Sequence, residues 1–402
     1  MKKYQAKLTT LLAAIVLSAG GTSHAFQDEG TVRIGSLEAQ TGVPSPYGIQ
    51  ALNGSKIAID EINAAGGVNV AGKKVKLQLM PSPNGYDPGA DSALTVALIK
   101  KLALEDEVLL IKGTSRSQNT EVAFKYLNEM EKAGTPIVLM SSLAGAPGLG
   151  GLSKWGFRNS FSEAGIIDRQ IELLSKKFGY KTAGIYVVKD NSHPAIVAQY
   201  IVTPILKKYG IEITSTVEGM DADIDLSSQV NALKRANPDI VVVASATNAG
   251  VNIMKEAGRR GLRPKIWLGT IGNISPEVPK LGGNSVERMI MGSSYSPSLD
   301  SVSKLRDEYI KRNKTDINMF GVDGYEAIYL FKEAIEKSGI KNTKQSLQED
   351  REKVRVALQK TEITSITGEK IRFNSDNDAV KKGFILSIQN GRYVEWDQNE
   401  FK

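Results

Sequence analysis

The chain contains no cysteine and only two histidines, His24 and His193. Without a thiol there is no disulfide framework, no cysteine nucleophile and no lipid-bearing cysteine. Two imidazoles exclude by count a metal centre built from clustered histidines and cysteines, and no cofactor is expected. Aromatic residues are sparse, at 6%. The formal charge is +7, yet basic residues are scattered with acidic ones between them. That pattern is a solvated surface and excludes a nucleic-acid footprint. Beyond the N-terminus no apolar run approaches the roughly 20 residues that a membrane span requires, so a membrane-embedded chain is not expected. No Gly-x-Ser-x-Gly elbow is present, and any serine–histidine–acid set would have to use His193. The glycine-rich GAPGLGG (145–151) has neither dinucleotide nor P-loop spacing. Acidic pairs such as Asp60-Glu61 and Glu105-Asp106 read as solvated carboxylates. The residues for enzyme chemistry are missing, and no enzyme is expected.

What is present begins with MKKYQAKLTTLLAAIVLSAGGTSHAF. Lys2, Lys3 and Lys7 precede a short apolar core over 11–17, and Ser23-His24-Ala25 supplies small residues at −3 and −1. This predicts a signal peptide over 1–25, cleavage near Ala25 and a soluble periplasmic chain beginning near Phe26. The remainder of the 402 residues is too long for one typical core, and 41% hydrophobic residues suffice for two.

Short β-rich runs over 32–37, 75–80, 108–111 and 136–140 alternate with helical patterns over 47–65, 89–104 and 118–133. Leu52, Ile59 and Ile62 share one face of the first helix, and Gly66-Gly67 stops it. The rhythm restarts with strands over 183–188, 211–217, 240–244 and 266–268 and helices over 192–209, 227–236 and 249–261. A further strand (289–292), helices near 301–313, 323–337 and 350–360, and a β-rich tail (371–396) follow. Such alternation predicts an α/β fold: two parallel sheets covered by helices, in a chain that crosses between two lobes more than once.

Several ordered segments carry a more specific likeness. They are VRIGSLEAQTGVPSPYGIQALNGSKIAIDEINAAGGVNVAGKKVKL (32–77), YDPGADSALTVALIKKL (86–102), GTSRSQNTEVAF (113–124), PIVLMSSLAGAP (136–147), FRNSFSE (157–163), GYEAIYLF (324–331) and FNSDNDAVKKGFILSIQNGRYVEW (373–396). In this order they resemble the type I periplasmic solute-binding proteins, in particular the leucine/isoleucine/valine-binding branch of branched-chain amino acid ABC transporters. The resemblance implies two Rossmann-like lobes joined by three crossover segments. Its boundaries would be 26–156 plus 293–365 for the N-terminal lobe and 157–292 plus 366–402 for the C-terminal lobe.

The resemblance also implies a ligand site at the strand ends. Tyr47, on a loop stiffened by Pro44 and Pro46, would cover the ligand. Ser117, at a helix start, would meet its carboxylate, as would Ser141, Ser142, Leu143, Ala144 and Gly145 in the next loop. His193 falls where the family faces an aromatic residue to the cleft. Phe161, Asp190 and Tyr295, at or near the lobe crossings, are further cleft candidates, and Asp323 or Asp190 could stand in for a missing acidic partner of an α-ammonium. Two positions depart from the family pattern. Ala246 stands where amino-acid binders carry an aromatic, and Gly269 or Thr270 where they carry the acidic partner of the α-ammonium. A buried ammonium without its carboxylate costs several kcal/mol. The expected ligand is a small carboxylate-bearing solute: a branched-chain or other amino acid, or an amine-free aliphatic or aromatic carboxylate or amide. The expected partner is an inner-membrane ABC permease, the expected state a monomer. A ligand-sensing component for a membrane receptor and an exported hydrolase are the alternatives.

Overall fold

A computed structural model describes residues 30–399. The expected signal peptide and its cleavage site lie outside the described residues. In the first lobe, β1 (Thr31–Leu37), β2 (Val68–Val70), β3 (Lys73–Met80), β4 (Leu110–Gly113), β5 (Val138–Ser141) and β6 (Gly156–Arg158) form a sheet of order β2-β3-β1-β4-β5-β6. Only the β2–β3 hairpin is antiparallel. Val32 to Leu37 are all buried, as expected of a strand covered by helices on both faces.

The second lobe holds β7 (Thr182–Val188), β8 (Glu212–Gly219), β9 (Ile240–Ala244), β10 (Ile266–Gly269) and β11 (Ile290–Ser293). A small antiparallel sheet of β12 (Glu362–Thr364), β13 (Lys370–Phe373) and β14 (Ala379–Val380) follows. The chain then adds β15 (Phe384–Gln389) and β16 (Arg392–Glu395) antiparallel to the second sheet, giving the order β16-β15-β11-β10-β9-β7-β8.

The chain passes between the lobes three times: after β6, after β11 and after β14. Arg158 at the end of β6 bridges to Asp378, so the small sheet adjoins the first lobe. The expected boundary at 365/366 therefore falls between β12 and β13, and the chain rejoins the second sheet only at β15. Helix Met319–Ser338 returns to the first lobe and packs on helix Ser45–Ala64 at glycine distance. A Cβ on Gly54 would lie 1.9 Å from the Gly321 carbonyl oxygen, and one on Gly324 would lie 2.2 Å from that of Ala51.

Most elements match the sequence rhythm; the short pieces β2, β6, β12 and helix Glu277–Gly282 were not anticipated, and two longer departures bear on the second lobe. Helix Glu163–Lys176 was not anticipated, although Ile166, Ile167, Gln170, Ile171 and Leu174 are buried at helical spacing and the Ser162 side chain caps it. The helix expected over 192–209 is not uniform. Its Ser192–Ile196 and Thr203–Lys208 segments flank a π-helical stretch, Val197–Val202. Pro204 has no N–H and crowds the preceding turn, and a wider register absorbs that conflict.

Candidate ligand-binding cleft

In each sheet the order reverses direction between two parallel neighbours: β1 and β4 in the first, β7 and β9 in the second. The carboxyl ends at such a reversal leave a crevice, and here the two crevices face each other. From the first lobe, Tyr47, the segment Ser115-Arg116-Ser117 after β4, and Leu143 after β5 line the cleft, with Phe320 at the start of helix Met319–Ser338. From the second lobe come Asn191 and His193 after β7, Ser245 and Ala246 after β9, and Ile271 and Gly272 after β10. The gap between these walls is narrow.

Tyr47 does more than face the cleft. Pro44 and Pro46 fix the first turn of helix Ser45–Ala64, so the ring projects from a rigid turn. Its edge packs on Phe320, with centroids 5.2 Å apart. The hydroxyl reaches into the other lobe, donating to the Gly272 carbonyl at 2.7 Å and accepting from the Thr247 N–H at 3.1 Å. That N–H belongs to the first turn of helix Thr247–Arg260, one of the donors a helix start leaves unpaired. Burial pushes the Tyr47 phenol above its ordinary pKa, so it remains a neutral donor.

The proton accounting of the two first-lobe cleft serines differs. Ser115 Oγ donates to Glu38 Oε2 at 2.6 Å and accepts from the Ala39 N–H, so its proton is committed. Glu38 in turn pairs with Lys112 at 2.5 Å, both fully buried. Burial lowers the Lys112 pKa and Glu38 opposes that shift. Ser117 Oγ accepts from the Ala146 N–H at 3.2 Å, leaving its proton available to an acceptor in the cleft. Between them stands Arg116, half-buried, whose guanidinium pairs with no carboxylate among the described residues.

No aspartate or glutamate lines the cleft. Carboxylates behind the second-lobe wall are engaged. Glu163 accepts from the Ile271 N–H at 2.9 Å and faces His193 Nε2 at 2.7 Å. Asp221 accepts from Asn191, and Asp190 accepts from the Asp221 N–H. Burial and the neighbouring Asp190 raise the Asp221 pKa, opposed by the Asn191 hydrogen bond and by Arg116.

Of the expected site residues, Tyr47, Ser117, Leu143, His193 and Ala246 line the cleft. Gly145 lies where the lobes touch: a Cβ there would be 2.4 Å from Ile271 Cδ1 and 3.0 Å from His193 Nε2. The others stand elsewhere. Ser141 staples its own loop, donating to the Thr114 carbonyl and accepting from the Ala144 N–H. Ala144 is turned into a small apolar cluster with Ala146 and Leu149, and its carbonyl accepts from Arg158 and Ser160. Ser142 is buried, and its hydroxyl has no partner among the described residues. Thr270 is buried behind the wall that Ile271 and Gly272 form. Asp190 is exposed, Phe161 is buried beside the first crossing, and Tyr295 lines a separate cavity of ≈ 650 Å³. Asp323 is fully buried and ion-paired to Lys381, so it is not a cleft carboxylate. Arg116, Ser115, Asn191, Ile271, Gly272 and Phe320 were missed. Arg116 sat inside the quoted GTSRSQNTEVAF segment, and its place beside Ser117 at a helix start was the available signal.

Two α/β lobes meeting at a polar-and-apolar cleft have the architecture of a two-lobed solute-binding protein. A family model described as "Periplasmic binding protein" matches residues 31–392, and the chain belongs to that family. Among curated relatives, the leucine-, isoleucine-, valine-, threonine- and alanine-binding protein of Pseudomonas aeruginosa is 26% identical, with 99% of this chain and 98% of that one covered. Among solved structures, the leucine-binding protein LivK of Thermotoga maritima superposes with a TM-score of 0.77 at 20% identity, covering 91% of this chain and 98% of that one. A solute-binding protein of an ABC transporter from Rhodopseudomonas palustris, in complex with 3,4-dihydroxybenzoic acid, superposes with a TM-score of 0.75 at 22% identity, covering 91% and 96%. No helix among the described residues is long and apolar enough to cross a membrane.

Proposed function

We propose that this chain is the substrate-binding component of an ABC importer and that its cargo is an amine-free organic anion, a small aliphatic or aromatic carboxylate. The observation that carries the reading is the charge of the cleft: one unpaired cation, Arg116, and no carboxylate. Around Arg116, the Ser117 hydroxyl and the N-terminal N–H groups of helix Ser117–Lys132 offer donors to an anion. Leu143, Ile271, Phe320 and Pro194 supply apolar wall for the rest of the molecule. An α-ammonium in the same space would meet Arg116 and no carboxylate on the lining; Asp221, bonded to Asn191, acts on the cleft only through its field, so burying the ammonium would cost several kcal/mol. The dihydroxybenzoate complex of the Rhodopseudomonas protein supports the reading by showing that this fold takes an amine-free acid.

The name of the Pseudomonas relative favours a second reading, that the cargo is an amino acid. Calorimetry on matched pairs separates them: leucine against 4-methylpentanoate, and phenylalanine against 3-phenylpropanoate, with benzoate and 4-hydroxybenzoate alongside. The proposal expects the deaminated member of each pair to bind as well or better. Tight leucine binding with none of 4-methylpentanoate overturns it. In the cell the chain would be cut after Ala25, act in the periplasm as a monomer and deliver its cargo to an inner-membrane permease.

A further inference from the structure

Each of the three crossings begins with a polar residue: Asn159 directly after β6, Ser294 directly after β11 and Lys381 directly after β14. All three side chains end on one residue. Asn159 Nδ2 donates to the Asp323 carbonyl oxygen at 2.9 Å, and Ser294 Oγ donates to Asp323 Oδ1 at 2.9 Å. Lys381 Nζ donates to the same Oδ1 at 2.7 Å. Asp323 is fully buried on helix Met319–Ser338, whose glycine contacts seat it firmly on the first lobe. Three segments far apart in sequence thus meet at one carboxylate and its own carbonyl.

We infer that Asp323 is a positioning residue for lobe closure: by binding the first residue of every crossing, it fixes the axis about which the lobes swing. The surroundings suit a fixed point. Lys381 is bracketed by Asp323 and by Glu326 Oε2, at 2.5 Å, one turn further along the same helix. Ser365 from the loop after β12 occupies the other Glu326 oxygen. Lys112, paired to Glu38, adds a second buried cation whose field reaches Asp323. Such a network holds its geometry because any displacement leaves a buried charge short of a partner. Burial raises the Asp323 carboxyl pKa to about 6, opposed by Lys381. The inference rests on the two-lobed fold and not on the ligand class.

The absence of cysteine makes the test direct. Lys125→Cys and Tyr200→Cys place spin labels on exposed positions, one in each lobe; Lys125 lies on helix Ser117–Lys132, which touches helix Ser192–Ile196 across the cleft. Electron–electron distance distributions are recorded without ligand, well below the melting temperature of each protein. Asp323→Asn keeps the shape but removes the charge, and Lys381→Met removes the third tether. Each is expected to broaden the distribution toward longer distances, with roughly a tenfold shift in the open-to-closed ratio, the scale of one lost charge-assisted hydrogen bond. If both variants melt earlier but their distributions superimpose on the unsubstituted one, Asp323 is structural only and the inference fails. Should Asp323→Asn not fold, Ser294→Ala removes a single neutral tether; it is expected to broaden the distribution less than Lys381→Met, and an unchanged distribution in both is equally fatal.

Discussion

The hydroxyl of Tyr47 is a hydrogen-bonded link between the lobes, and Tyr47→Phe removes it while keeping the ring against Phe320. The substitution deletes the bond donated to the Gly272 carbonyl, the bond accepted from the Thr247 N–H and a 3.1 Å contact with the Thr247 hydroxyl; the two backbone bonds set the minimum loss. Opened lobes give Gly272 O and Thr247 N–H back to water, so the loss falls on the closed state alone. At about 0.5–1.5 kcal/mol net per neutral hydrogen bond, closure weakens by about 1–3 kcal/mol, or roughly 5- to 150-fold. Where the open form dominates without ligand, the apparent dissociation constant rises by the same factor, mostly through faster release. Stopped-flow release and calorimetry on whichever carboxylate binds best read the affinity, and the label pair described above reads closure without any ligand. Burial holds the phenol neutral across the working range, so the effect is independent of pH between 5 and 8. An affinity within twofold of the unsubstituted protein and an unchanged distance distribution would refute the link.

Other consequences are equally open to measurement. Ser117→Ala removes a free hydroxyl proton from the cleft and is expected to weaken carboxylate binding about 10- to 150-fold, the range for a bond of about 1.5–3 kcal/mol to a charged group; the melting temperature falls as well, because the buried Ala146 N–H loses its acceptor. Gly145→Leu inserts a side chain where even a Cβ meets Ile271 and His193, so small-angle scattering should show lobes held apart and no compaction on adding ligand; normal compaction would mean the loop yields. Because the folded Asp323 carboxyl titrates near 6, above its ordinary 3.8, its stabilising contribution is complete below about pH 4 and is lost as pH rises through 6. Asp323→Asn should therefore flatten the stability curve between pH 4 and 7, and parallel curves for the two proteins would contradict that assignment.

Much of this architecture could be read from order alone. Short β-branched runs such as 240–244 read as strands covered on both faces, and the helical patterns between them favour parallel pairing. The absence of cysteine and the scarcity of histidine exclude disulfides, thiol nucleophiles and metal centres of clustered cysteines and histidines. Tyr47, Ser117 and His193 were legible because each follows a strand end, the place where a parallel sheet exposes its loops. The departure at Ala246 and Thr270 came from the family resemblance, which places an aromatic and an acid of the amino-acid binders at positions where this chain has neither.

Pairings between residues far apart in sequence were beyond that reading. Asp323 looked like a spare acid for the cleft, yet lies 58 positions from Lys381 in the chain and is consumed by it. The Tyr47 hydroxyl meets Gly272 across 225 positions, so no local pattern could show that a cover is also a link. Periodicity and turn chemistry act over a few residues, and they specify elements and the ends at which a site must form. Which side chains share a buried charge, which hydroxyl keeps its proton for a ligand and which cation is left without a partner depend on distances set only when the lobes pack. The sequence alone determined a two-lobed α/β binder with its cleft at the strand ends; tertiary structure decided the sign of that cleft, because charge is assigned there by contact and not by order.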